Sequence, residues 1–139
     1  MTSSPDKRTR VLVVSLPGMM QKMLCETLNS RLDVDLVGVA SGGLSAVGMI
    51  RQEQPDLVVI DSNLPEAEMR ELIQWLKKDK QHVRSLVLVE TTQQLNKAAT
   101  AGADIILRSY SLPGNLDRVI TQLKIDLRDN FDYPFDRNP

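Results

Sequence analysis

The chain has 139 residues, 42% hydrophobic and 25% charged, with a formal net charge of -1. That length suffices for one domain with a full core and falls short of two ordinary ones. The near-zero charge excludes a general nucleic-acid surface, no apolar stretch reaches the roughly 20 residues of a membrane span, and a single cysteine, Cys25, excludes an internal disulfide.

Residues 1–9 read as a flexible leader; Met1 to Arg10 lacks the apolar core of a secretory signal, and a cytoplasmic protein is expected. Arg10 to Ser15 is a first buried strand, followed by a Leu16-Pro17-Gly18 turn in which Pro17 suits the first turn of a helix. Met20, Met23, Leu24, Leu28 and Leu32 recur at helical spacing and define the first helix. Val34 to Val39 is the second strand, closed by Ser41-Gly42-Gly43; Leu44, Val47, Ile50 and Arg51 continue as a short helix that stops before Pro55. Leu57 to Ile60 is a third strand, apolar throughout, as expected of a parallel strand buried on both faces. It delivers Asp61 to the carboxyl edge of the sheet, where open α/β folds place ligands and chemistry. Glu66 to Lys80 is the third helix, with Met69, Leu72, Ile73 and Leu76 on its apolar face. Leu86 to Val89 is the fourth strand, and Gln93 to Ala101 a small, weak helix stopped by Gly102. Ala103 to Leu107 is the fifth strand, and Pro113 to about Arg128 the last helix, with Leu116, Val119, Ile120, Leu123 and Leu127 on one face. The domain therefore spans residues 10–128, and residues 129–139 form a tail or linker stub. Strands alternating with helices argue a parallel sheet covered on both sides and wound with right-handed crossovers.

The element order, together with Pro55-Asp56-Leu57-Val58-Val59-Ile60-Asp61-Ser62-Asn63-Leu64-Pro65, resembles a response-regulator receiver domain over roughly Arg10 to Leu127. Asp61 with Pro65 resembles the phosphoacceptor and its following loop. Ala40-Ser41-Gly42-Gly43 with Ala46 resembles the loop after strand two, and Ala101-Gly102-Ala103-Asp104 the lead into strand five. The resemblance implies a flavodoxin-like (βα)5 three-layer sandwich whose five-stranded parallel sheet has the order 2-1-3-4-5.

It also implies helpers for the acceptor. A carboxylate attacking a phosphoryl group builds negative charge that a divalent cation must offset, and magnesium prefers carboxylates plus waters. The family's acidic pair at the end of strand one is replaced by Ser15 and Leu16. The lysine at the end of strand five, which would pair with the phosphoryl group, falls at Ser109, with Arg108 one position earlier and aimed by strand alternation at the other side. The hydroxyl at the end of strand four falls on Glu90 by direct matching, or on Thr91 with a slip of one residue. Glu90 beside Asp61 would repel an incoming phosphate and raise a carboxyl pKa. The aromatic of strand five is Ile106, with Tyr110 nearby, and the glycine after the acceptor loop is Met69. The stretch from Glu90 to Gly102 is short for the family, so the fourth helix is expected to be about one turn shorter or largely irregular.

Other candidates read more simply. His82 sits alone in a polar loop, without the cluster a zinc site needs. Cys25 lies among Met23, Leu24 and Leu28 as a small apolar residue. Gly42-Gly43 lacks the spacing of nucleotide-binding loops. Met19, Met20 and Met23 read as helix packing, and Lys77-Lys78-Asp79-Lys80 as a solvated, cation-rich helix end. Phe131, Tyr133 and Phe135 crowd the tail, either folding back onto the domain or serving as a docking motif.

The expectation is an atypical, pseudo-receiver signalling domain. It would use no cofactor, catalyse nothing, and bind protein partners or a second copy through the face formed by the fourth helix, fifth strand and fifth helix. It would contact neither nucleic acid nor membrane. The first rival is a phosphorylatable receiver that accepts at Asp61 with magnesium and non-standard helpers. The second is a flavodoxin-like small-molecule binder. The middle of the sequence resembles receivers that precede helix-turn-helix transcription factors. A complete chain would be a stand-alone regulator, and a longer one would continue into an output domain.

Overall fold

The computed structural model describes residues 8–109 and 114–129, the last helix by its backbone alone beyond residue 123. Ten elements alternate along the chain: β1 (Thr9–Val14), α1 (Met19–Asn29), β2 (Val34–Ala40), α2 (Gly43–Glu53), β3 (Leu57–Asp61), α3 (Glu66–Asp79), β4 (Arg84–Val89), α4 (Thr92–Ala101), β5 (Ile105–Arg108) and α5 (Gly114–Asp129). The strands form one parallel sheet in the order β2-β1-β3-β4-β5. This is the expected flavodoxin-like sandwich.

Alternation along the strands divides the core into two layers. Leu12, Val14, Val58, Ile60, Val87 and Val89 face α2, α3 and α4, packing against Ile50, Met69, Leu72, Ile73 and Leu76. Val11, Val13, Leu57, Val59, Leu86 and Leu88 face α1 and α5, packing against Leu24, Leu28, Leu116 and Ile120. Each such aliphatic side chain, fully removed from water, contributes roughly 1.5–3 kcal/mol. No helix among the described residues is long and apolar enough to cross a membrane.

Polar groups close the sheet at its amino edge. The backbone N–H and hydroxyl of Ser85 donate to Asp104 Oδ2 at 2.9 and 3.3 Å, and the Asp104 N–H donates to Ser85 Oγ at 3.0 Å. Asp56 Oδ2 similarly accepts the Arg10 N–H at 2.9 Å. These locks explain why β5 starts at Ile105, later than the expected Ala103, and why β4 starts at Arg84.

Two element ends are corrected, at α1 and at β3. The fourth helix forms where a small helix was expected, as a regular ten-residue α-helix, and of the two alternatives for it the irregular one does not hold. Thr91 caps it in a reciprocal capping box with Gln94, and Gly102 stops it in the left-handed conformation at φ 104°. α1 ends at Asn29, which leaves Leu32 beyond the helix and 89% exposed. Asp61 belongs to β3 itself, paired with Leu88 of β4. The leader as far as residue 7, Tyr110 and the Phe131-Tyr133-Phe135 tail lie outside the described residues.

Asp104→Ala leaves the Ser85 N–H unpaired at a buried position. The expected cost is about 1–3 kcal/mol. It should appear in urea unfolding as a lower midpoint at an unchanged slope.

Candidate functional site

β3 is buried along its whole length, and its last residue, Asp61, remains only 5% exposed. Asp61 sits at the carboxyl edge beside β1, where the strand order reverses direction; such a switch point is where doubly wound sheets open a crevice. Its carboxylate accepts the Ser15 hydroxyl on Oδ2 at 3.1 Å and the Asn63 N–H on Oδ1 at 3.3 Å. Ser15 is itself fully buried, held by its N–H to the Ala40 carbonyl at 2.9 Å and through its own carbonyl to Gln21 Nε2 at 2.8 Å. Leu16 turns outward and is 37% exposed.

Burial pushes the Asp61 carboxyl above its ordinary value. The Asn63 N–H and the Ser15 hydroxyl oppose that shift, the negative charge of Glu90 adds to it, and the Ser62 N–H opposes it. Glu90 follows β4 directly. Thr91 is occupied elsewhere: its Oγ1 accepts the Gln94 N–H at 3.0 Å.

The remaining expected residues surround the start of α4. Arg108 ends β5 opposite Val89, and its Nη2 donates to Thr92 Oγ1 at 3.3 Å. Ser109 Oγ donates to the Val89 carbonyl at 3.4 Å. Thus Asp61 and Ser15 touch, Glu90 acts on Asp61 through its charge, and Thr91, Arg108 and Ser109 are engaged with β4 and α4. Among the described residues, no three His, Cys, Asp or Glu side chains gather closely enough to hold a metal ion. His82 is exposed, and Cys25 is half-buried with burial raising its thiol pKa.

Gln94 is absent from the expected set. Its Oε1 accepts the N–H of Glu90 at 2.7 Å, the N–H of Thr91 at 3.3 Å and the Ser62 hydroxyl at 3.2 Å. One neutral side chain therefore ties the loop after β3 to the loop after β4. Its sequence signal was the Thr91-Thr92-Gln93-Gln94 spacing of a capping box.

The five-stranded doubly wound sheet, with a buried carboxylate ending its central strand at the switch point, defines a flavodoxin-like α/β domain with its site at the carboxyl edge. The sequence profile of the response regulator receiver domain matches residues 11–120, and the chain belongs to that family. A protein-glutamate methylesterase/protein-glutamine glutaminase of Methanospirillum hungatei is 30% identical over 99 residues, covering 68% of this chain and 29% of the relative. A second such protein, from Koribacter versatilis, is 28% identical over 125 residues, covering 84% of this chain and 34% of the relative. The chain thus spans about a third of the length of these curated relatives. Among solved structures, the signal receiver domain of the putative response regulator NarL from Mycobacterium tuberculosis superposes with a TM-score of 0.75 at 20% identity, covering 85% of this chain and 98% of that one. The response regulator domain of Thermotoga maritima CheB gives a TM-score of 0.61 at 25% identity, covering 88% and 95%.

Because the folded-state pKa of Asp61 is raised, folding favours its protonated form. That contribution is present below the ordinary carboxylate range and is lost as pH rises through the folded value. Asp61→Asn is expected to raise the melting temperature at neutral pH by a few degrees, with the gain shrinking as pH falls into the carboxylate range. Calorimetry across pH checks this, and an unchanged or lower neutral melting temperature contradicts it. Glu90→Gln should move the Asp61 titration, followed by carboxyl carbon NMR, toward lower pH.

Proposed function

We propose that this receiver domain is a pseudo-receiver that signals by protein–protein interaction without efficient magnesium-dependent phosphorylation of Asp61. The observation that carries the reading is the contact of Asp61 with a buried hydroxyl, Ser15 Oγ at 3.1 Å, on the side where magnesium would need carboxylates. Leu16 offers no donor there, and Glu90 adds negative charge beside a carboxyl that burial already disfavours as an anion. The residues present do not fit a magnesium ion, and no phosphoryl-transfer step is assigned to them.

On this reading the domain is not an enzyme and uses no cofactor. The methylesterase relatives are about two and a half times its length, so their activity is not carried over to this chain. Its output surface is the α4–β5–α5 face, which binds a protein partner or a second copy. The α4 part of that face is firmly held, because Gln94 fixes the loop that enters it. The domain works in the cytoplasm and makes no direct contact with nucleic acid or membrane.

The test is beryllofluoride with magnesium added to the isotopically labelled protein. No site-specific change in the amide spectrum is expected at Ser15, Ser62 or Asn63. The triple variant Ser15→Asp, Leu16→Asp, Ser109→Lys is expected to acquire one. A magnesium-dependent change in the wild-type protein that Asp61→Asn abolishes overturns the reading in favour of a phosphorylatable receiver.

A further inference from the structure

A recess of about 860 Å³, open to solvent, lies between α2 and α3 and shares none of its lining with the surroundings of Asp61. Its walls are apolar. On α2, Leu44 stands 89% exposed, with Val47 one turn further along the same side. On α3, Leu72 floors the groove and Trp75 closes its far end. A leucine this exposed gains nothing for the fold, because its side chain remains in water. Beside Val47 and Trp75 it forms a patch of the kind that marks an interaction site.

The groove also has an electrical direction. Glu68 and Glu71 line it near the start of the helices, where Glu68 Oε1 accepts the Gly43 N–H at 3.0 Å. Among the described residues no ion pair engages either glutamate; the acid of α3 that is paired is Glu66, with Arg70 and Lys97. At the other end the Arg51 guanidinium lies 5.6 Å from the centre of the Trp75 ring, covering the indole. At the acidic end Glu68 packs directly over Gly42 and Gly43, within 3.4–3.5 Å of where their Cβ atoms would stand, which fixes this carboxylate at the rim of the groove.

We propose that the α2–α3 groove docks a cationic amphipathic segment of a partner protein. An aliphatic or aromatic anchor sits between Leu44, Val47 and Trp75, and a Lys or Arg lies against Glu68 and Glu71. The charge of the groove selects this occupant over the chain's own tail, because residues 129–139 carry Asp129, Asp132 and Asp136 against a single Arg137. A segment of this kind is the usual guest of an apolar groove with a charged rim, the anchor giving affinity and the rim giving orientation. The inference does not rest on the state of Asp61.

The full chain is panned against a displayed library of random peptides, and the enriched peptides are synthesised. Trp75 is the only tryptophan, so its emission reports on the groove itself. Enriched peptides are expected to pair an apolar anchor with Lys or Arg and to shift Trp75 emission. They should bind about tenfold more weakly to Leu44→Asp and to Glu71→Lys, a loss of about 1.4 kcal/mol. Both positions are exposed, so both variants fold. Asp61→Asn should bind them unchanged, which separates failure here from failure of the pseudo-receiver reading. Enrichment of acidic peptides, peptides that bind both variants like the wild type, or no enrichment at all overturns the proposal. So does self-association of the chain in sedimentation that Leu44→Asp abolishes, since the occupant is then a second copy.

Discussion

Burial of the central strands on both faces governs the rest of this molecule. In β1, β3 and β4 nearly every side chain is sealed from water, with Val11 to Val14, Leu57 to Ile60 and Leu86 to Val89 all at 0% exposure. An unpaired polar group in such a strand costs several kcal/mol, so polarity is displaced to the two edges of the sheet. At the amino edge, Asp56, Ser85 and Asp104 tie the strand starts together. At the carboxyl edge, Ser15 and Asp61 meet as the last residues before water. The same sheet that makes the core thus makes the site, by leaving its chemistry nowhere else to go.

The carboxyl edge is poor in compensation for charge. Asp61 receives a hydroxyl and backbone N–H groups, each a neutral dipole, while the negative charge of Glu90 adds to the upward push on its pKa. Dipoles offset part of the desolvation of a carboxylate, but a full positive charge offsets far more. Arg108, the cation that ends β5, extends to Thr92 at the start of α4. With the Ser15 hydroxyl and the Asn63 N–H on its two oxygens, Asp61 sits in a closed hydrogen-bonded corner.

The fold was legible because its signals were redundant. Each strand is an unbroken apolar run, each helix carries its own periodic face, and Gly102 and Pro55 punctuate them. Asp61 and Ser15 were legible as neighbours because Asp61 ends β3 and Ser15 directly follows β1, the adjacent strand. What escaped was set by side-chain hydrogen bonds over three residues or by long-range pairing. The segment after β4 looked weak by composition, yet the Thr91–Gln94 box and the Lys97–Glu66 contact at 2.7 Å hold it as a full helix. Leu32 fitted the helical spacing of α1 but lies past the helix end, where Arg31 instead pairs with Asp33 and Asp117. The spacing of Gln94 from Thr91 signals a capping box, but not its third bond, to the Ser62 hydroxyl on the neighbouring loop.

The bonds gathered at Gln94 also set how often this corner opens. Its carbonyl oxygen has two lone pairs for three donors, so the Glu90 N–H at 2.7 Å takes the larger share and the other two divide the rest. At about 1 kcal/mol for each satisfied bond, releasing the corner costs about 2 kcal/mol. That lowers the occupancy of a rearranged conformer roughly thirtyfold relative to a corner without the glutamine. A ligand that prefers a conformer with these bonds broken must supply that difference from its own binding energy.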